Sequence, residues 1–128
     1  MKEQQLFNYL KDNYLSDLIS ATNKMSRWDC VSDAYKVRIE LKCRRTHYST
    51  LLLEKKKYDA MIRSVDGSNY RPLYINSTPK GIYSFDLLKI KPKWITNKIN
   101  PATTDFSNNV KVIKEVAYLS INESTEIK

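Results

Sequence analysis

From position 36 the chain alternates. Val37, Ile39, Leu41 and Cys43 fall on one side, and Lys36, Arg38, Glu40, Lys42 and Arg44 on the other. A period of two is the pattern of a β-strand with one buried face. Just upstream, Arg27 to Val31 predicts a shorter strand. Ser32-Asp33-Ala34 supplies the turn between them, because short polar side chains bond their own backbone. The two strands form a β-hairpin. A two-residue loop at Asp33-Ala34 sets Val31 opposite Lys36 and Asp29 opposite Arg38. Asp29 then shares a face with Arg38, Glu40 and Lys42, and a slip of one residue would move it to the other face.

The rest of the pattern supplies the surroundings of the hairpin. Leu6, Phe7, Leu10, Tyr14, Leu18 and Ile19 recur at spacings of three and four, which predicts an amphipathic helix from residue 3 to about 21. Leu51 to about Ser64 reads as a second helix, with Leu51, Tyr58, Met61 and Ile62 along one side. Asp66-Gly67-Ser68-Asn69 is a turn. Arg71 to Ile75 and Ile82 to Ile90 read as strands, with a loop around Pro79 between them. Lys91 to Asn109 reads as irregular, Val110 to Ile121 as a last strand or pair of strands, and Asn122 to Lys128 as a polar tail.

An Asp on one strand followed by Glu-x-Lys on the next resembles the core motif of the PD-(D/E)XK nuclease superfamily. Here these residues are Asp29, Glu40 and Lys42, with Leu41 between the last two. Trp28 stands where that superfamily often has proline. The resemblance covers about residues 3 to 90, and a helix directly after the Glu-x-Lys strand agrees with its core order of helix, three strands, helix and strand. It implies an α/β fold, a small mixed β-sheet flanked by helices with a restriction-endonuclease-like core. It also implies divalent-metal-dependent hydrolysis of phosphodiester bonds in DNA. Asp29, Glu40 and the Leu41 carbonyl would hold Mg²⁺ or Mn²⁺, hard ions that take oxygen ligands. Lys42 would orient the attacking water or neutralise charge growing on the phosphate. A glutamate on the first helix often reaches such a site, and Glu3 matches it, with Gln4 or Gln5 as polar substitutes. Glu3 equally fits an acid placed at a helix N-terminus by the dipole.

Charge sharpens the choice of partner. Across 128 residues, 22 Lys and Arg against 14 Asp and Glu leave a net charge of +8. That balance suits nucleic acid but does not separate DNA from RNA. Arg44, Arg45, His47, Lys55, Lys56, Lys93 and Trp94 are the candidate nucleic-acid contacts, the last two within a run that also holds Lys89, Lys91 and Lys98. Trp94 and Phe106 read equally well as anchors pinning a loop to the core. The alternative function is a non-catalytic module that grips nucleic acid or a protein. A homodimer is the arrangement the resemblance offers for cutting two strands.

The length predicts one nuclease-like domain spanning 1–128. The modest size favours structure-selective or weakly sequence-specific cutting over the reading of a long sequence. No apolar run approaches the ~20 residues that span a bilayer, and Met1 to Gln5 lacks a signal-peptide core. These observations predict a cytoplasmic protein without membrane association. Cys30 and Cys43, the only cysteines, read as small buried hydrophobes rather than zinc ligands.

Overall fold

A computed structural model of the protein describes residues 1–99 and 112–128. Helix α1 spans Glu3–Asn13 and buries Leu6 and Leu10. It stops well short of the predicted residue 21. Past its end, the Lys11 ammonium folds back onto the Ser16 and Leu18 carbonyls at 3.2 and 2.8 Å. A cation in the last turn also complements the helix dipole. Leu18 remains fully buried, but from a loop. Its successors Ile19–Ser20 form a short strand, β1.

The hairpin is present, with β2 at Cys30–Ser32 and β3 at Val37–Cys43. Its loop differs from expectation. Val31 pairs with Arg38 rather than Lys36, and Ser32 pairs with Val37. The turn therefore runs from Asp33 to Lys36, and Lys36 adopts a left-handed φ of 55°. Asp17 builds this longer turn from outside. Its carboxylate accepts from Ser32 Oγ at 2.6 Å and from the Ala34 amide at 2.9 Å. Those bonds hold the Asp17 carboxyl below the usual range. The register moves by an even step, so every side chain keeps its face.

The second predicted helix divides. Thr50–Glu54 is strand β4 and Lys55–Val65 is helix α2. A run of three leucines fits either element by periodicity. Pairing decides it, since Leu51, Leu52 and Leu53 lie opposite Leu119, Tyr118 and Ala117. Strand β5, Arg71–Thr78, outruns its predicted end at Ile75. Asn76, Ser77 and Thr78 look like loop residues but are buried in the sheet. Strand β6 is Gly81–Asp86, β7 is Ile95–Ile99, β8 is Val112–Ser120 and β9 is Thr125–Ile127. Thus β6 ends before Ile90, where the Asp86 carboxylate caps the Leu88 amide at 3.0 Å. Part of the predicted irregular segment is strand β7, and part of the polar tail is strand β9. Phe106 and the start of the predicted strand at Val110 lie outside the described residues, as does the Lys98 side chain.

Six strands form one sheet in the order β1-β2-β3-β5-β6-β9, and three form a second in the order β4-β8-β7. The first sheet is mixed, because β3 and β5 run parallel while its other pairs are antiparallel. Its two faces carry separate cores. On one, Val37, Ile39 and Leu41 meet Leu6 and Leu10 of α1. On the other, Tyr74, Tyr83 and Phe85 meet Met61 of α2 and Leu51, Leu53, Ala117 and Leu119 of the small sheet. The central strand β3 therefore has both faces covered. Its charged side, which alternation alone assigns to solvent, lies under α2.

Candidate active site

Burial of that charged side creates the site. Arg38 enters the second layer through its flat guanidinium, which lies 4.5 Å from the Trp28 ring centre and 4.6 Å from that of Tyr70. It also donates to the Ser64 carbonyl near the end of α2. Cation–π stacking of this kind suits arginine, and here it fastens α2 to β3. Glu40, two residues on, has no such aromatic shell. It is 9% exposed.

Asp29 meets Glu40 where the hairpin opens. Cys30 is the last residue of β2 to pair, and it pairs with Ile39, so Asp29 comes opposite Glu40. The backbone groups of Ile39 and Leu41 leave the same edge of β3. The Ile39 carbonyl accepts from the Asp29 amide at 2.8 Å. One step further the partner strand has turned away, and the Leu41 amide donates to Asp29 Oδ2 at 2.7 Å instead. In a strand, a residue's carbonyl points to the same edge as its amide. The Leu41 carbonyl is thus directed to the side on which Asp29 stands. Two carboxyl groups and a carbonyl face one small volume.

The electrostatics follow from that crowding. Burial first, and then the Asp29 carboxylate, push the Glu40 carboxyl up to about 7 against the opposing pull of Lys57. Glu3, at the solvent-facing mouth, is raised by partial burial and by Asp29, while Lys57 and Lys42 pull it down. Glu3 and Asp29, with Gln4, Phe7, Ser20 and Leu41, line an open cavity of about 220 Å³. Lys42 is exposed and close enough to Glu3 to act on its carboxyl.

Sequence reasoning missed Lys57. One turn into α2, it crosses to β3 and places Nζ 3.0 Å from Glu40 Oε1. Burial pulls its ammonium down, but Glu40 and the neighbouring acids outweigh that and raise it overall. Both partners are therefore raised. The acid's environment is dominated by desolvation and by a second acid, the lysine's by the carboxylates around it. A run of three lysines gives no hint of which one turns inward. The helical position 57 is fixed only once the helix is known to start at Lys55.

The nucleic-acid candidates disperse. Arg44 turns inward, giving Nε to Asn76 Oδ1 at 2.9 Å and Nη2 to the Leu52 carbonyl at 2.5 Å and the Tyr74 hydroxyl at 3.0 Å. Its half-buried guanidinium ties the two sheets together and also lines an open pocket with Tyr48 and Tyr118. His47 is half-buried, with Nδ1 2.9 Å from Thr78 Oγ1 and its ring 5.6 Å from that of Tyr83. Trp94 packs edge-on against Tyr58 at 5.2 Å, as a loop anchor does. Lys55 pairs with Asp59 at 2.8 Å. Arg45, Lys56 and Lys93 are exposed. Cys30 is buried and Cys43 half-buried.

The donor set suits a small hard cation, because carboxylate and carbonyl oxygens are what Mg²⁺ and Mn²⁺ take, alongside retained waters. Among the described residues, however, no three His, Cys, Asp or Glu side chains already stand in a closed ligand shell. Asp29 Oδ2 accepts from the Leu41 amide, and Glu40 Oε1 is paired with Lys57.

No protein-family model matches the chain, and no curated protein is similar to it in sequence. Among solved structures, it is similar to Hjc, a Holliday junction resolvase from the archaeal hyperthermophile Archaeoglobus fulgidus. The match has a TM-score of 0.59 at 12% identity and covers 98% of this chain and 93% of that one. The chain thus carries a restriction-endonuclease-like α/β fold, a mixed sheet flanked by helices.

Proposed function

We propose that this protein is a divalent-metal-dependent DNA endonuclease that selects its substrate by branched or distorted structure rather than by base sequence. The observation that carries the reading is the meeting of Asp29 and Glu40 at the open end of the hairpin, beside Lys42, in a fold shared with a junction resolvase. Asp29, Glu40 and the Leu41 carbonyl would hold Mg²⁺ or Mn²⁺. When bound, such an ion supplies Lewis-acid polarisation of the phosphate and lowers the pKa of a coordinated water.

The chain's own residues do the rest. Asp29, locked by the Leu41 amide, is preorganised and needs no rotamer search when the ion arrives. Glu40 must be ionised to act as a ligand, and its burial makes that ionisation sensitive to neutral pH. Glu3 lines the same cavity as Asp29 and Leu41 and acts on Asp29 directly, and it would orient a water there. Lys42 is exposed at the rim, where its ammonium would meet a phosphoryl oxygen as charge builds on it. Arg45, Lys56 and Lys93 are exposed and would meet the DNA backbone. One domain, acting as a homodimer, would present two such sites to two strands.

The test is cleavage of linear duplex, nicked and four-way-junction DNA, with single-stranded RNA alongside, in Mg²⁺, Mn²⁺ or EDTA. Metal-dependent cutting of the junction, lost in Asp29→Ala, is the expected result. Binding of every substrate without cutting of any would establish the non-catalytic module instead. Preferential cutting of RNA would overturn the choice of substrate.

A further inference from the structure

Lys57 stands at the one place where the site reading needs a cation. Its Nζ is 3.0 Å from Glu40 Oε1, yet its side chain is 59% exposed while that of Glu40 is 11% exposed. The lysine therefore reaches down from solvent to a buried carboxylate. A buried acid with no counter-charge is costly, and an ammonium on a flexible stem relieves that cost without sealing the site. Asp29 and Glu54 add to the negative field around the same ammonium. Among the described residues Asp29 makes no ion pair, and the Leu41 amide donates to its Oδ2.

We propose that Lys57 is a tethered counter-ion, occupying at Glu40 the position a divalent cation takes, so that metal loads by exchange with the lysine. The proposal rests on the metal-site reading above and adds what that reading leaves open, the state of the site before metal arrives. An ion approaching Glu40 must displace the ammonium, and the exposed stem lets it swing outward without disturbing the core. The exchange weakens metal binding in the absence of DNA. It also keeps the two acids from driving the hairpin apart when no metal is bound. Once displaced, the ammonium is left at the mouth of the site, where a phosphate backbone provides its next partner.

The experiment is Mn²⁺ titration at pH 8, following free Mn²⁺ by electron paramagnetic resonance, on wild type, Lys57→Met, Lys57→Arg and Asp29→Ala. Removing a competing ammonium from a largely desolvated carboxylate should tighten binding by about tenfold in Lys57→Met, the scale of one close charge pair. Lys57→Arg keeps the competing charge and should stay near wild type. Asp29→Ala should bind much more weakly than either. Melting curves with and without Mn²⁺ give a second readout, in which the ion stabilises Lys57→Met more than wild type. If wild type binds through Asp29 but Lys57→Met binds no more tightly, the exchange is overturned and the metal site survives. If neither binds Mn²⁺, both fall.

Discussion

Replacing Glu40 by Gln in the metal-free protein should remove a specific pH dependence of stability. Glu40 is 9% exposed, and its carboxyl is raised to about 7 by burial and by Asp29. In the unfolded chain a glutamate titrates near 4.3. Between those values the folded state keeps a proton that the unfolded state has released. Stability therefore falls as pH rises through this window and levels off above about 7. Each unit of difference is worth about 1.4 kcal/mol, so the ceiling is on the order of 4 kcal/mol. Glutamine keeps the shape and hydrogen-bonding capacity without the charge. It leaves Lys57 unpaired, but that side chain is 59% exposed and water replaces its partner at little cost. The assay is urea denaturation in EDTA at pH 5 and pH 8 for both proteins. Carboxyl groups remote from the site contribute equally in the two, so the informative quantity is the difference between them. We expect the Glu40→Gln advantage to be about 2–3 kcal/mol larger at pH 8 than at pH 5, with Mg²⁺ narrowing it by stabilising wild type alone. Parallel pH profiles would refute the claim that Glu40 is a strained, buried acid.

Three further outcomes follow from the same geometry. Lys42→Ala should keep its melting temperature and DNA affinity yet lose cleavage by about 10²–10³-fold, since the side chain is exposed and touches no core residue; equal activity in side-by-side plasmid assays would remove it from the site. Arg44→Met should destabilise the fold by about 1–3 kcal/mol in denaturant melts, because it leaves the buried Asn76 Oδ1 without its donor and removes the guanidinium from the Leu52 carbonyl, which keeps the Tyr74 hydroxyl; a near-neutral result would show that these bonds do not hold the two sheets together. DNA affinity measured from low to moderate salt should fall with a log–log slope of about −0.9 per phosphate contact, and a flat profile would indicate a protein partner.

The hairpin and its three motif residues were legible in the sequence because strand parity is local information. Alternation over Val37 to Cys43 fixes which side chains share a face, and any even change in the turn preserves that assignment. The loop was in fact longer than expected, and Asp29 moved from Arg38 to Glu40 without leaving its face. The charge of +8 was equally plain. Position along the chain could not reveal what covers a face. Periodicity reads Glu40 as solvated, but the sheet is packed on both sides, so α2 buries it and raises its pKa. The same packing drew Arg44 inward, turned the leucine run Leu51 to Leu53 into a strand by pairing it with β8, and set Lys57 against Glu40. Local spacing determines which way a side chain points. Desolvation and counter-charge depend on what arrives from distant segments, and only the tertiary structure decides that.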